Sequence, residues 1–266
     1  PELSAEEGTT YALPIATVAV FALIWFVNIS GMQTASTLIT AISPSADISK
    51  NLTAFEKLAE RQPFAMQEIR EQMVSLASAV VQSSSIPNEQ KQRAVTLAVN
   101  EMQKQVASYP LDARGHLQLS YAYRIVGDGA SAIKEIESAI ILSPKKIGFY
   151  IEKGPVEWDM GNMKSAQKDF NTAYELGPQF SDLAVYSAAG NFAVGDNAEA
   201  DKILMKVFGT TVVDSDILAV AYYRAKNWPR LISMLKLRTE KPNAVASAWF
   251  SLAAAYYTAG DKANAI

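Results

Sequence analysis

Few side chains in this sequence could do chemistry. There is no cysteine, and His116 is the only histidine. Thiolate nucleophiles, disulfide frameworks, thiolate zinc sites and histidine-rich metal sites are therefore excluded. The acidic pairs Glu6/Glu7 and Glu135/Glu137 show no partner pattern for acid–base work and read as solvated surface. A formal charge of −3 leaves no basic footprint for nucleic acid. What remains is a series of large planar side chains. Arg124, Trp158 and Phe192 recur at intervals of 34 residues, Tyr257 follows in the same register, and Tyr223 lies close to it. Arg114 and Tyr121 come just before Arg124 and belong to the same expected face. Such a ladder could grip an extended peptide or stack on sugar rings, or it could be packing between successive layers. No catalytic residue, cofactor site or metal site is expected.

An interval of 34 residues requires elements that repeat. Pro110, Pro144 and Pro178 are spaced by it, and Pro63 and Pro242 close similar phrases: AFEKLAERQP, EIESAIILSP, DFNTAYELGP and MLKLRTEKP. Each phrase reads as the end of a helix stopped by proline. Within Ala113–Lys146, Leu119 and Tyr123 are the large positions of a first helix, Gly127-Asp128 is a turn, and Ala132, Ile136 and Ala139 are small–large–small positions of a second. Gly154, Gly161, Ala166, Phe170 and Ala173 repeat the scheme, as do Ala188, Gly195-Asp196, Ala200 and Leu204. Trp249, Leu252, Ala253, Tyr256 and Gly260-Asp261 open it once more. This is the pattern of the tetratricopeptide repeat (TPR), in which paired antiparallel helices stack because neither buries its apolar face alone. It predicts an all-α chain with TPR repeats over 111–266, the last one truncated, after a divergent helical region over 49–110. The twelfth position of each first helix, which carries the ladder, is expected to face a concave groove. His116, at the fourth position, is expected to pack.

Three departures carry structural expectations. Pro178 and Pro242 are 64 residues apart, short of two periods, so the repeat containing Ala221-Tyr222-Tyr223 is trimmed and Gly209–Val213 reads as the loop that absorbs the difference. Pro155 inside a first helix should kink it or start it late. The 47 residues from Pro63 to Pro110 hold one repeat plus an insertion around Ser83–Pro87.

The N-terminal part reads differently. Residues 11–29, YALPIATVAVFALIWFVNI, contain no charge and are long enough to cross a bilayer at about 1.5 Å per residue. Glu2, Glu6 and Glu7 precede them without any Lys or Arg, which argues against a secretory signal. The expectation is a loop over 1–10, a transmembrane helix over 11–29 and a connector over 30–48. Lys50, Lys57 and Arg61 follow the run and weakly favour a cytoplasmic repeat region. Because the sequence opens on Pro1 and stops at Ile266 within a repeat, it reads as a piece of a longer protein.

The order of parts is itself suggestive: a membrane run, the phrase NLTAFEKLAERQPF, a QEIREQMVSLA helix, then EMQKQVASYPLDARGHLQLSYAY leading into the repeats. It resembles the C-terminal part of bacterial O-antigen ligase or polymerase-like membrane proteins that carry a TPR tail. The resemblance implies a parent glycosyl-transferring enzyme whose catalytic region lies outside this chain, a place in the bacterial cell membrane, and an extracytoplasmic repeat region. Two functions stay open. One is a noncatalytic, membrane-anchored interaction module that binds a protein partner or glycan on its concave face. The other is the tail of such an enzyme.

Overall fold

The computed structural model describes residues 8–44 and 47–265. Glu6 and Glu7, with most of the expected loop 1–10, lie outside the described residues. Fourteen α-helices are described: α1 Leu13–Ile24, α2 Ser30–Ile42, α3 Ile48–Arg61, α4 Met66–Gln82, α5 Asn88–Ser108, α6 Ala113–Ile125, α7 Gly129–Leu142, α8 Ile147–Asp159, α9 Met163–Leu176, α10 Ser181–Ala193, α11 Asn197–Phe208, α12 Asp216–Arg224, α13 Trp228–Thr239 and α14 Ala246–Thr258. They divide into two compact units. The first runs to Pro110 and includes Tyr121–Gly127; the second comprises Leu111–Ser120 and the chain from Asp128 onward.

The expected transmembrane helix over 11–29 is corrected. The apolar run is divided into the π-helical turn Gly8–Ala12, the 12-residue α1 and a second π-helical turn, Trp25–Ile29. At about 1.5 Å per residue, α1 covers roughly 18 Å of a core near 30 Å. No helix among the described residues is long and apolar enough to cross a membrane. The single-span placement in a bacterial membrane, with an extracytoplasmic repeat region, falls with it.

In the first unit Asp47 caps α3 by accepting a bond from Ser49 N at 3.0 Å. The unit's core is Leu52, Phe55, Leu58, Ile69, Met73 and Met102. Arg70 is buried among them, donating to Gln105 Oε1 at 2.7 Å and to Glu101 Oε2 at 3.3 Å. The QEIREQ phrase supplies Arg70 and the EMQKQV phrase supplies Glu101 and Gln105, so the two meet in this buried network. The extra residues between Pro63 and Pro110 go partly into helix length, since α4 has 17 residues and α5 has 21, and partly into the turn after Gln82.

The second unit repeats one junction. Each first helix ends on a residue with positive φ: Gly161 (83°), Gly195 (86°), Lys226 (54°) and Gly260 (87°). The next residue sends its N–H five residues back: Asn162 to Glu157, Asp196 to Asn191, Asn227 to Tyr222 and Asp261 to Tyr256, at 2.8–3.0 Å. This closes a Schellman-type turn. Asp128 and Asp196 then cap the following helices through Ser131 N and Glu199 N. Small residues let the paired helices close in. A Cβ on Gly154 would fall 2.2 Å from the Phe170 ring, so that ring can lie only on bare backbone. Leu119, Ala132, Ile136, Ala139, Ala166, Ala173, Ala188, Ala200 and Leu204 are all buried, as the repeat pattern requires.

Helix α8 begins at Ile147 and continues through Pro155, so the proline does not delay its start. The trimmed repeat shows in α12, which has nine residues where α8, α10 and α14 have 13. Its turn also departs from the rule, with Lys226 where its counterparts have glycine. A side chain in the left-handed region costs about 1–2 kcal/mol. We expect Lys226→Gly to raise stability by about 1 kcal/mol and Gly195→Ala to lower it by a similar amount. Chemical denaturation of the two variants checks both signs.

Candidate functional site

In the second unit a hollow lies on each side of α12. The smaller, about 270 Å³, lies between Pro155 and Trp158 of α8, Tyr186 of α10 and Ile217 and Val220 of α12. The larger, about 420 Å³, lies between Val220 and Tyr223 of α12, Trp228 and Leu235 of α13, and Ser251 and Ala254 of α14. Val220 and Arg224 line both, so one face of α12 is the wall between them.

Arg224 rests on that wall. It donates from Nη2 to Asp159 Oδ1 at 2.8 Å and from Nη1 to the Trp158 carbonyl at 3.2 Å, and its guanidinium carbon sits 5.6 Å from the Trp158 ring centre. Beneath it the rings of Trp158, Phe170 and Tyr186 follow one another at 5.8 and 5.4 Å. Trp158 Nε1 is buried without a hydrogen-bond partner among the described residues. At the far end Arg238 is bound to Asp214 and, at 2.7 Å, to Asp216. Burial works against the Asp214 charge, but Lys241 and Arg238 outweigh it and hold the carboxyl below its usual range.

The seven expected ladder residues separate. Arg124, Trp158, Phe192, Tyr223 and Tyr257 do occupy one equivalent position: the backbone carbonyl of each accepts the N–H of the left-handed turn residue three places on. Their side chains have different surroundings. Trp158 is buried and lines the smaller hollow; Tyr223 is 60% exposed, lines the larger one and meets Trp228 edge-on at 5.6 Å. Phe192 is 1% exposed, packed edge-on to Tyr222 at 4.9 Å and covered by Arg230 at 4.7 Å, so it serves the core. Tyr257 is 65% exposed, and neither it nor Arg114, Tyr121 or Arg124 on α6 lines either hollow. Tyr186, Val220, Arg224 and Trp228 escaped the sequence reading. The signal available for Arg224 and Trp228 was the junction rule, since Lys226-Asn227 stands where Gly-Asp stands elsewhere and fixes the register around it.

His116 and Lys153 serve packing between helices of this unit. His116 Nδ1 lies 2.6 Å from Glu135 Oε2, and Lys153 Nζ lies 3.1 Å from Glu137 Oε1. Glu135 and Glu137 therefore each have a side-chain partner, and of the two Glu137 stays largely exposed as expected. Lys153 also faces Asp169 at 3.6 Å and Glu157 at 3.8 Å. Among the described residues no group of three His, Cys, Asp or Glu could hold a metal.

No protein-family profile matches the chain, and no curated protein sequence does. Solved structures do. A tetratricopeptide repeat protein from Parabacteroides merdae superposes with a TM-score of 0.61 at 11% identity, over 88% of this chain and 90% of that one. The MamA protein gives 0.50 at 17% identity, over 67% and 92%. At these identities the likeness shows the fold, a TPR-like α-solenoid, and nothing finer. The resemblance to O-antigen ligase-type proteins gains no support.

Asp169 generates a pH dependence. Burial raises its carboxyl from 3.8 to about 6, Lys153 opposing and Glu157 reinforcing the shift. Burial likewise opposes the Lys153 charge, but Asp169, Glu137 and Glu157 raise its pKa overall. Since the folded chain holds the Asp169 proton more tightly than the unfolded one, this group favours folding most below about pH 4, and the contribution is lost as pH rises through 6. Asp169→Asn should therefore melt above the parent at about pH 7.5, with the difference shrinking towards about pH 4.5. Thermal melts across that range check the sign.

Proposed function

We propose that this chain is a noncatalytic interaction module that holds an extended peptide of a protein partner along the first-helix face of its second unit. The observation that carries the reading is the pair of hollows sharing α12 as their wall. Hollows on successive repeats can take alternate side chains of one extended segment, the wall between them setting the spacing. Their linings suit that ligand. Val220, Tyr223, Ile217 and Trp228 supply apolar contact, while Arg224 supplies donors at the rim that both hollows share. Tyrosine, tryptophan and arginine are the residue types that most often dominate binding energy at protein interfaces. The buried, unmatched Trp158 Nε1 is a donor that a peptide carbonyl could satisfy after a small adjustment of the ring. The larger apolar surface stands in the open, where it marks contact sites on repeat proteins.

Screening a random peptide library against the full chain tests the reading. Selected peptides should lose at least about tenfold in affinity with Val220→Asp, which places a charge on the shared wall. Val220 is 47% exposed, so the variant should change stability by no more than about 0.5 kcal/mol. Peptide binding untouched by Val220→Asp would place the contact elsewhere. A chain that retains glycans but no peptides would overturn the reading.

A further inference from the structure

The first unit has a cleft of its own. It holds about 520 Å³ between α2 and α3 and is lined on the α3 side by Lys50, Lys57 and Arg61. Steps of seven and four residues return to the same helix face, so the three cations form one stripe. All three are exposed, and none forms an ion pair with a described residue. Of the two acids of α3, Glu56 is taken by Arg93 at 2.5 Å, and Glu60 is exposed and forms no ion pair with the three cations. Three unneutralised cations in a row stand out in a chain whose formal charge is −3.

Thr37 and Thr40, on the α2 side, spend their protons on Gln33 O and Ser36 O, but two hydroxyls on the α3 side are set to donate. Arg93 Nη2 donates to Thr53 Oγ1 at 3.1 Å, and Gln90 Nε2 donates to Ser49 Oγ at 3.0 Å. Each hydroxyl has thus been given its acceptor role and keeps its proton for a ligand. The only carboxylate in the lining, Asp47, is engaged in capping α3 through Ser49 N. The cleft therefore sets three cations and two hydroxyl donors against one carboxylate that is already engaged, so its net charge is positive. Such a set fits an anion with many oxygens. A carboxylate offers two oxygens and one charge. A diphosphate offers oxygens in several directions and more than one charge per phosphoryl group near neutrality.

We propose that this cleft is a binding site for the diphosphate group of a small phosphorylated molecule, held by Lys50, Lys57 and Arg61 with Thr53 and Ser49 as hydroxyl donors. The site belongs to a different unit from the peptide-binding face and does not depend on that reading.

Calorimetric titration of the full chain with inorganic pyrophosphate at low salt tests it. We expect saturable binding at one site, weakened about tenfold or more by Lys57→Gln, because the variant removes a charged hydrogen bond to the anion. Lys164→Gln, which removes an exposed lysine of the second unit, should leave the affinity unchanged. Both side chains are on the surface, so neither variant threatens folding. Absence of saturable binding would overturn the proposal. So would equal weakening by Lys57→Gln and Lys164→Gln, which would mean that only the diffuse charge of the chain attracts the ion.

Discussion

A helix of about 13 residues with apolar side chains along one stripe is not stable by itself. It survives only if the next helix returns at once and lies against it. In the second unit that return is made by a single residue in the left-handed region and one backbone bond reaching five residues back. The bond fixes where the second helix starts. Alanines and Gly154 then decide how closely it approaches, and Phe170 fills the space they leave. Had the turn been looser, the same small residues would have faced a void, with the loss that an unfilled core carries.

The period was legible because its punctuation is chemical. Proline cannot extend a helix and glycine readily adopts positive φ, so Pro110, Pro144, Pro178, Gly161 and Gly195 declare their roles without tertiary context. The ladder was half legible for the same reason. Its residues are equivalent in backbone, and sequence spacing reports backbone equivalence. Side-chain exposure depends on what the neighbouring repeats place overhead. Arg230, from α13, closes over Phe192, whereas Tyr223 in the shortened repeat stays open. No spacing rule contains that information. The apolar run at residues 11–29 failed differently. Its composition is plain, but the turns that divide it involve hydrogen-bond register, which composition does not encode.

Buried charge is handled in two ways. In the first unit Arg70 reaches Glu101, Gln105 and Gln62, so its donors are met by partners from other segments of that unit. Such a network penalises any slip of α4 against α5 more than an apolar core would, because a slip strands a guanidinium. In the second unit Lys153 serves three carboxylates, and Asp169 is left with one oxygen unbonded. The first arrangement is satisfied, whereas burial raises the carboxyl of Asp169 by more than Lys153 can offset.

The same distinction separates structural residues from those left over for binding. Arg230 and Arg238 are each paired with aspartates on adjoining segments, Asp201 for one and Asp214 and Asp216 for the other. They hold successive layers together. Arg224 is also paired, but Asp159 is mostly exposed and the arginine is about one-third exposed, so that bond is weak and exchangeable. A ligand carboxylate or carbonyl can replace Asp159 without stranding a buried charge, whereas replacing Asp201 or Asp214 would break a layer contact. Among the arginines of this unit, Arg224 therefore joins access to both hollows with a partner that can be given up. A recognition surface built on stacked repeats needs this combination, because each helix is already packed against its neighbours and only side chains at the surface can change partners.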